Sequence, residues 1–115
     1  MEKYENLANA IIERAVEDYM TAILYLYYLK NNKVEIIQQI VKRSEKAAHP
    51  IYYTSTELQA LYNRKVQEAK TNVLNIERFF YSQWYQALTK VDGKMLIRKV
   101  KEQIKENKCI DCDLL

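Results

Sequence analysis

The sequence predicts an all-α fold, a helical bundle of four to five helices with long antiparallel members. Three observations carry this. The 115 residues hold one Gly, Gly93, and one Pro, Pro50, so the turns that a sheet of several hairpins would need are missing. Between these breakers apolar residues recur at steps of three and four over long runs, the period of one helix face. Apolar residues make up 49% and charged residues 29%, which suits a chain that can bury one core. The expected organisation is a single domain over residues 1–108 and a frayed tail at 109–115, where no period is left.

The first helix is expected over residues 4–30, with Leu7, Ile11, Ala15, Tyr19, Ile23 and Leu26 as its inward stripe. Glu13, Arg14, Glu17 and Asp18 then face water. Residues 19–29 are apolar all round when turned by about 100° per residue, so this half must be covered on more than one side. Asn31 and Asn32 should stop the helix, because Asn competes for backbone hydrogen bonds and tolerates the left-handed conformation.

A second helix is expected over residues 34–48, with Ile37, Ile40, Val41 and Ala48 inward and Lys42, Arg43 and Lys46 outward. Pro50 ends it by pushing His49 out of helical conformation. Thr54 and Glu57 then form a capping box that opens a third helix. Its stripe is Leu58, Tyr62, Val66, Ala69, Val73, Ile76 and Phe80, close to a heptad seam that needs an antiparallel partner.

Unbroken to residue 88, this helix would be roughly 50 Å long, beyond the diameter of a compact domain of this size. Ser82 is the expected new N-cap, dividing the run into a long helix to residue 81 and a short one over residues 83–88. The alternative is a continuous helix in an elongated dimer. Asp92 is placed to cap a last helix over residues 93–107, with Leu96, Ile97, Val100 and Ile104 inward.

Composition also restricts function. A single glycine excludes the Gly-rich phosphate loops of nucleotide-binding folds. The net charge of +3 is mild, but residues 90–108 sum to about +4, so the last helix is the basic part. No basic start followed by an apolar core marks a secretory signal. The longest apolar run, about 11 residues against the roughly 20 needed to span a bilayer, gives no transmembrane helix. A cytoplasmic protein is expected.

No set of residues reads as catalytic, metal-binding or cofactor-binding. Cys109 and Cys112 have the spacing of half a zinc site, but His49 is the only other soft ligand and four are needed. The plain reading is a reduced tail; the other is an intermolecular metal or disulfide contact. Glu13 and Glu17 share a face, yet no Glu-x-x-His step accompanies them.

Aromatic residues are the unusual feature: ten Tyr, two Phe and one Trp. Phe79, Phe80, Tyr81, Trp84 and Tyr85 spread over about two-thirds of a helix circumference, too wide for one core. The bland reading puts Phe80 and Trp84 in the core with tyrosines at its edge. The functional reading makes Tyr25, Tyr28, Phe79, Tyr81, Trp84 and Tyr85 a candidate protein interface, because Tyr and Trp dominate binding energetics. Lys94, Arg98, Lys101 and Lys105 are candidate nucleic-acid contacts, although Glu102 and Glu106 interrupt them.

Residues Asn9-Ala10-Ile11-Ile12, Ala15-Val16 and Asp18-Tyr19 lie near the start of the chain. Later come the run from Ile76 through Tyr85, Leu88-Thr89, Val91-Asp92-Gly93 and Leu96-Ile97. This pattern, over about half the chain, resembles small uncharacterised proteins of phages and mobile elements of Gram-positive bacteria. In that group the part between the two ends varies in length. The resemblance implies a phage or element origin and carries no activity, cofactor or catalytic residue.

The functional expectation is therefore a non-enzymatic protein that binds another protein, a host factor or defence component being the partner class that such an origin suggests. The alternative is a nucleic-acid-binding accessory protein using the basic last helix. A two-fold homodimer is also expected, through surfaces within residues 19–29 or 79–85, since one bundle can hide only one helix that is apolar all round.

Overall fold

The computed structural model describes residues 2–108, with side chains for 6–106. Five helices follow in order: α1 Glu2–Asn31, α2 Lys33–Lys46, α3 Ser55–Phe80, α4 Gln83–Leu88 and α5 Gly93–Lys108. No strand occurs among the described residues. The tail with Cys109 and Cys112 lies outside them.

α1 and α3 form an antiparallel pair. Tyr19 meets the far end of α3, its ring edge-on to Phe80 at 6.0 Å and its Oη donating to Glu77 Oε1 at 2.5 Å. Ten residues later, Leu29 meets the beginning of α3, where Tyr62 Oη donates to its carbonyl at 2.8 Å. The core is built on this pair: Tyr19, Ala22, Ile23, Leu26 and Leu29 from α1 with Tyr62, Ala69, Val73 and Phe80 from α3, closed by Ile97, Val100 and Ile104 of α5. Each large side chain buried there stabilises the fold by roughly 1.5–3 kcal/mol in transfer free energy.

Leu7 departs from expectation. It is 59% exposed, while Ala8 beside it is buried. Steps of four residues overshoot a turn by about 40° each, so three of them carry Leu7 about 120° away from Tyr19. Ala8, eleven residues before Tyr19, returns to within about 20° of the core direction.

The end of α1 is closed by side chains. Asn31 Nδ2 donates to the Tyr27 carbonyl and Asn32 Nδ2 to the Tyr28 carbonyl, both at 2.9 Å. With Tyr62 on Leu29, three consecutive carbonyls in the last turn gain a side-chain donor. The turn needs no left-handed residue, for Asn32 has φ −130° and ψ 41°. The hydrogen-bonding capacity of Asn is used and its left-handed tolerance is not.

α2 ends at Lys46, two residues before the expected end, and Ala48 is exposed rather than inward. Its buried residue is Ile36, with Ile37, Ile40 and Val41 half-buried. Ile36-Ile37 and Ile40-Val41 are adjacent apolar pairs, so the sequence stripe can be centred on either member. The core takes Ile36, with Ile37 and Ile40 packed against it.

α3 opens as expected: Thr54 Oγ1 accepts from the Glu57 amide at 3.2 Å and Glu57 Oε1 from the Thr54 amide at 3.1 Å. The chain breaks at Ser82, which is the N-cap of α4. The overall shape is nonetheless elongated, 58 × 32 × 21 Å with a radius of gyration of 18.2 Å, against about 13 Å for a compact domain near this length. Compactness is thus not what stops α3. No helix of the described residues is long and apolar enough to cross a membrane.

Candidate binding surfaces

Ser82 sets the geometry of the aromatic corner. Its Oγ donates to the Phe79 carbonyl at 2.6 Å and accepts from the Tyr85 amide at 3.1 Å, holding the last turn of α3 to the first turn of α4. Had the helix run on, Trp84 would follow Phe80 into the core at an i+4 step. The turn exchanges the two neighbours, so that Tyr85 is 1% exposed and Trp84 58% exposed. The sequence reading that placed Trp84 inside and Tyr85 at the edge is reversed.

Phe79 is the hub of this corner. It meets Phe80 at 5.3 Å, Trp84 at 5.5 Å and Tyr85 at 5.7 Å between ring centroids, all edge-on. Such pairs add to burial through the ring quadrupoles. Trp84 therefore stands in solvent while one side of it is fixed by a packed cluster. Tyr81, the C-cap residue of α3, is also exposed.

The other candidate tyrosines lie elsewhere. Tyr25 and Tyr28 are exposed on α1 and border a cleft of about 350 Å³ whose floor includes Leu29, Ile36 and Ile40, with Arg43 and Lys65 among its polar walls. The six candidate interface residues thus separate into a corner at α3–α4 and a cleft between α1, α2 and α3, with Tyr85 inside the fold.

The basic candidates fall on one stripe of α5, since 94, 98, 101 and 105 follow at steps of four, three and four. Lys94, Arg98 and Lys105 are exposed; Lys101 is half-buried, with its Nζ 3.7 Å from Glu77 Oε1. Glu77 also receives the Tyr19 hydroxyl. One member of the stripe is thus engaged in tying α5 to the α1–α3 pair. His49, Glu13, Glu17 and Glu45 are all exposed, and no group of three metal-ligating residues occurs among those described.

A further cleft, about 660 Å³, lies where α4 turns into α5 and is lined by Tyr81, Tyr85, Lys90, Asp92, Gly93 and Lys94 among others. Burial, and secondarily the Asp92 carboxylate, raise the Tyr85 pKa above its ordinary value. Asp92 Oδ1 accepts the Lys94 amide at 3.0 Å, the cap expected of it. Sequence reasoning missed this cleft, because it depends on the chain reversal between Ser82 and Gly93. The nearest signal was Val91-Asp92-Gly93. No known protein family, curated protein or solved structure matches this chain.

Proposed function

We propose that this chain is a non-enzymatic binding protein of the kind carried by phages and mobile elements, acting in the cytoplasm of a host cell on a protein partner. The observation that carries the reading is Trp84: an indole 58% exposed yet braced edge-on against Phe79. A large aromatic side chain that is already ordered loses little entropy on binding and supplies much contact area. Tyr81 widens the same surface.

Stoichiometric capture of a partner from a Gram-positive host lysate, repeated with Trp84→Ala and Tyr81→Ala, is the test. Both variants should stay folded while losing the partner, Trp84→Ala with a small drop in melting temperature from its lost ring contact with Phe79. Capture unaffected by either substitution counts against this surface.

The α5 stripe favours a second reading, binding of single-stranded nucleic acid. Lys94 lines the same cleft as Tyr81, which puts a cation beside an exposed ring suited to stacking. Salt separates the two readings. Phosphate contacts give a log-log slope near −0.7 per contact for single strands, whereas an aromatic protein interface changes little.

A further inference from the structure

On the side away from the core, α1 presents a second ordered face. Leu7, Ile11, Arg14, Asp18, Thr21 and Tyr25 follow at alternating steps of four and three, a heptad seam about 27 Å long. Ile11 is half-buried and the other five are exposed, so no other helix of the protein covers this line. Leu7 and Tyr25 are 18 residues apart, five whole turns, and therefore point the same way.

The six residues are arranged symmetrically about the level of Val16. Leu7 and Tyr25 lie nine residues to either side of it, Ile11 and Thr21 five, and Arg14 and Asp18 two. Equidistant positions are thus complementary in kind: aliphatic with aromatic, β-branched with β-branched, cation with anion. A second copy of α1 laid antiparallel across the first sets equidistant positions opposite each other, and the arrangement closes as a two-fold. A parallel arrangement would instead set Arg14 on Arg14 and Asp18 on Asp18.

We infer that a second copy of this chain docks on this face, through an antiparallel α1–α1 seam in which Leu7 of one copy meets Tyr25 of the other and Arg14 meets Asp18. Arg14 and Asp18 already pair within the helix at 3.4 Å, so the dimer joins two such pairs into one four-charge cluster. Exposed ion pairs add little affinity, and here they fix direction and register. The apolar contacts supply the affinity. Tyr25 and Tyr28 border the cleft floored by Ile36 and Ile40, and Leu7 of the second copy arrives beside it. Glu17, also exposed, flanks the cluster and leaves it with net negative charge. The inference does not depend on the protein-binding reading, since no residue of the α3–α4 corner belongs to the seam.

The test is sedimentation equilibrium of the full chain over the micromolar range, with charge changes across the seam. In a two-fold dimer each change acts twice, so Arg14→Asp or Asp18→Arg alone should raise the dissociation constant about tenfold, with helical circular dichroism unchanged. Mixing the two variants sets opposite charges across the seam again and should recover a mixed dimer close to parental affinity. Leu7→Ala should weaken the dimer, Glu17→Gln should tighten it, and Trp84→Ala should leave it unchanged. A single-chain mass for the parent throughout overturns the inference, as does a dimer that survives both single charge changes. Dissociation by Trp84→Ala but not by Leu7→Ala moves the interface to the α3–α4 corner and overturns it equally. Loss of the dimer in both charge variants without recovery on mixing overturns the register, as does weakening by Glu17→Gln.

Discussion

The carbonyl oxygen of Phe80 lies against Gly93 so closely that a Cβ built on the glycine would stand 2.0 Å from it. The end of α3 and the start of α5 thus meet backbone to backbone, which fixes the α4 corner between them. Helix propensity alone favours Ala over Gly by up to about 1 kcal/mol. The contact opposes this, and the atom in the way belongs to the backbone of a buried residue, which cannot swing aside. Gly93→Ala should therefore destabilise the protein by about 2–3 kcal/mol, the upper part of the range for overpacking. Chemical denaturation measures it, and a stabilised variant would show that the corner yields.

Tyr62→Phe tests the closure of α1. The hydroxyl reaches the Leu29 carbonyl within the core, so its removal leaves a buried acceptor unpaired, at about 1–3 kcal/mol. Asn31→Ala removes a comparable bond to the Tyr27 carbonyl at an exposed position, where water takes its place. A loss below about 0.5 kcal/mol is expected there. Equal losses at both sites would contradict the accounting.

Alkaline titration should single out Tyr85. Its folded pKa is raised by burial and then by Asp92, above an ordinary value of 10.0. A raised pKa means that the folded state holds its proton more tightly than the unfolded chain does. This contribution is complete below pH 10 and is lost as pH climbs through the folded pKa. Tyr85→Phe should accordingly lose stability less steeply above pH 10 than the parent does. Parallel slopes for the two proteins would refute it.

Much of this fold is legible in the sequence. Every residue of the α3 stripe is buried or half-buried, because steps of four offset by steps of three follow a helix face with little drift. The capping box and Ser82 are readable because each is a local hydrogen-bonding arrangement of three or four residues. Leu7 was misplaced by a run of fours that drifts, and Ile36 by two adjacent apolar pairs that local pattern cannot order. The candidate site was less legible. Whether Trp84 or Tyr85 turns inward depends on the angle at which α4 leaves α3, and beside the local Ser82 bonds that angle involves Gly93 closing on Phe80 from thirteen residues away.

Self-association is the last expected outcome. α1 occupies the central position that a single bundle can offer, and Tyr19, Ile23, Leu26 and Leu29 are hidden there. Its all-round apolar half still leaves Tyr25 48% and Tyr28 37% exposed beside the cleft floored by Ile36 and Ile40. The α3–α4 corner leaves Tyr81 and Trp84 out as well. Soluble monomers seldom display such patches without a use. A two-fold interface burying roughly 800 Å² per subunit would cover one of them. Light scattering at micromolar concentration should give twice the mass of one chain. Tyr25→Ala and Trp84→Ala, tested separately, should show which surface is used, since only the variant in the interface returns a single-chain mass. A single-chain mass for the parent would sink the dimer. Both aromatic surfaces would then be available to a foreign partner at once, and double substitution at Tyr25 and Trp84 should reduce its capture further than either change alone.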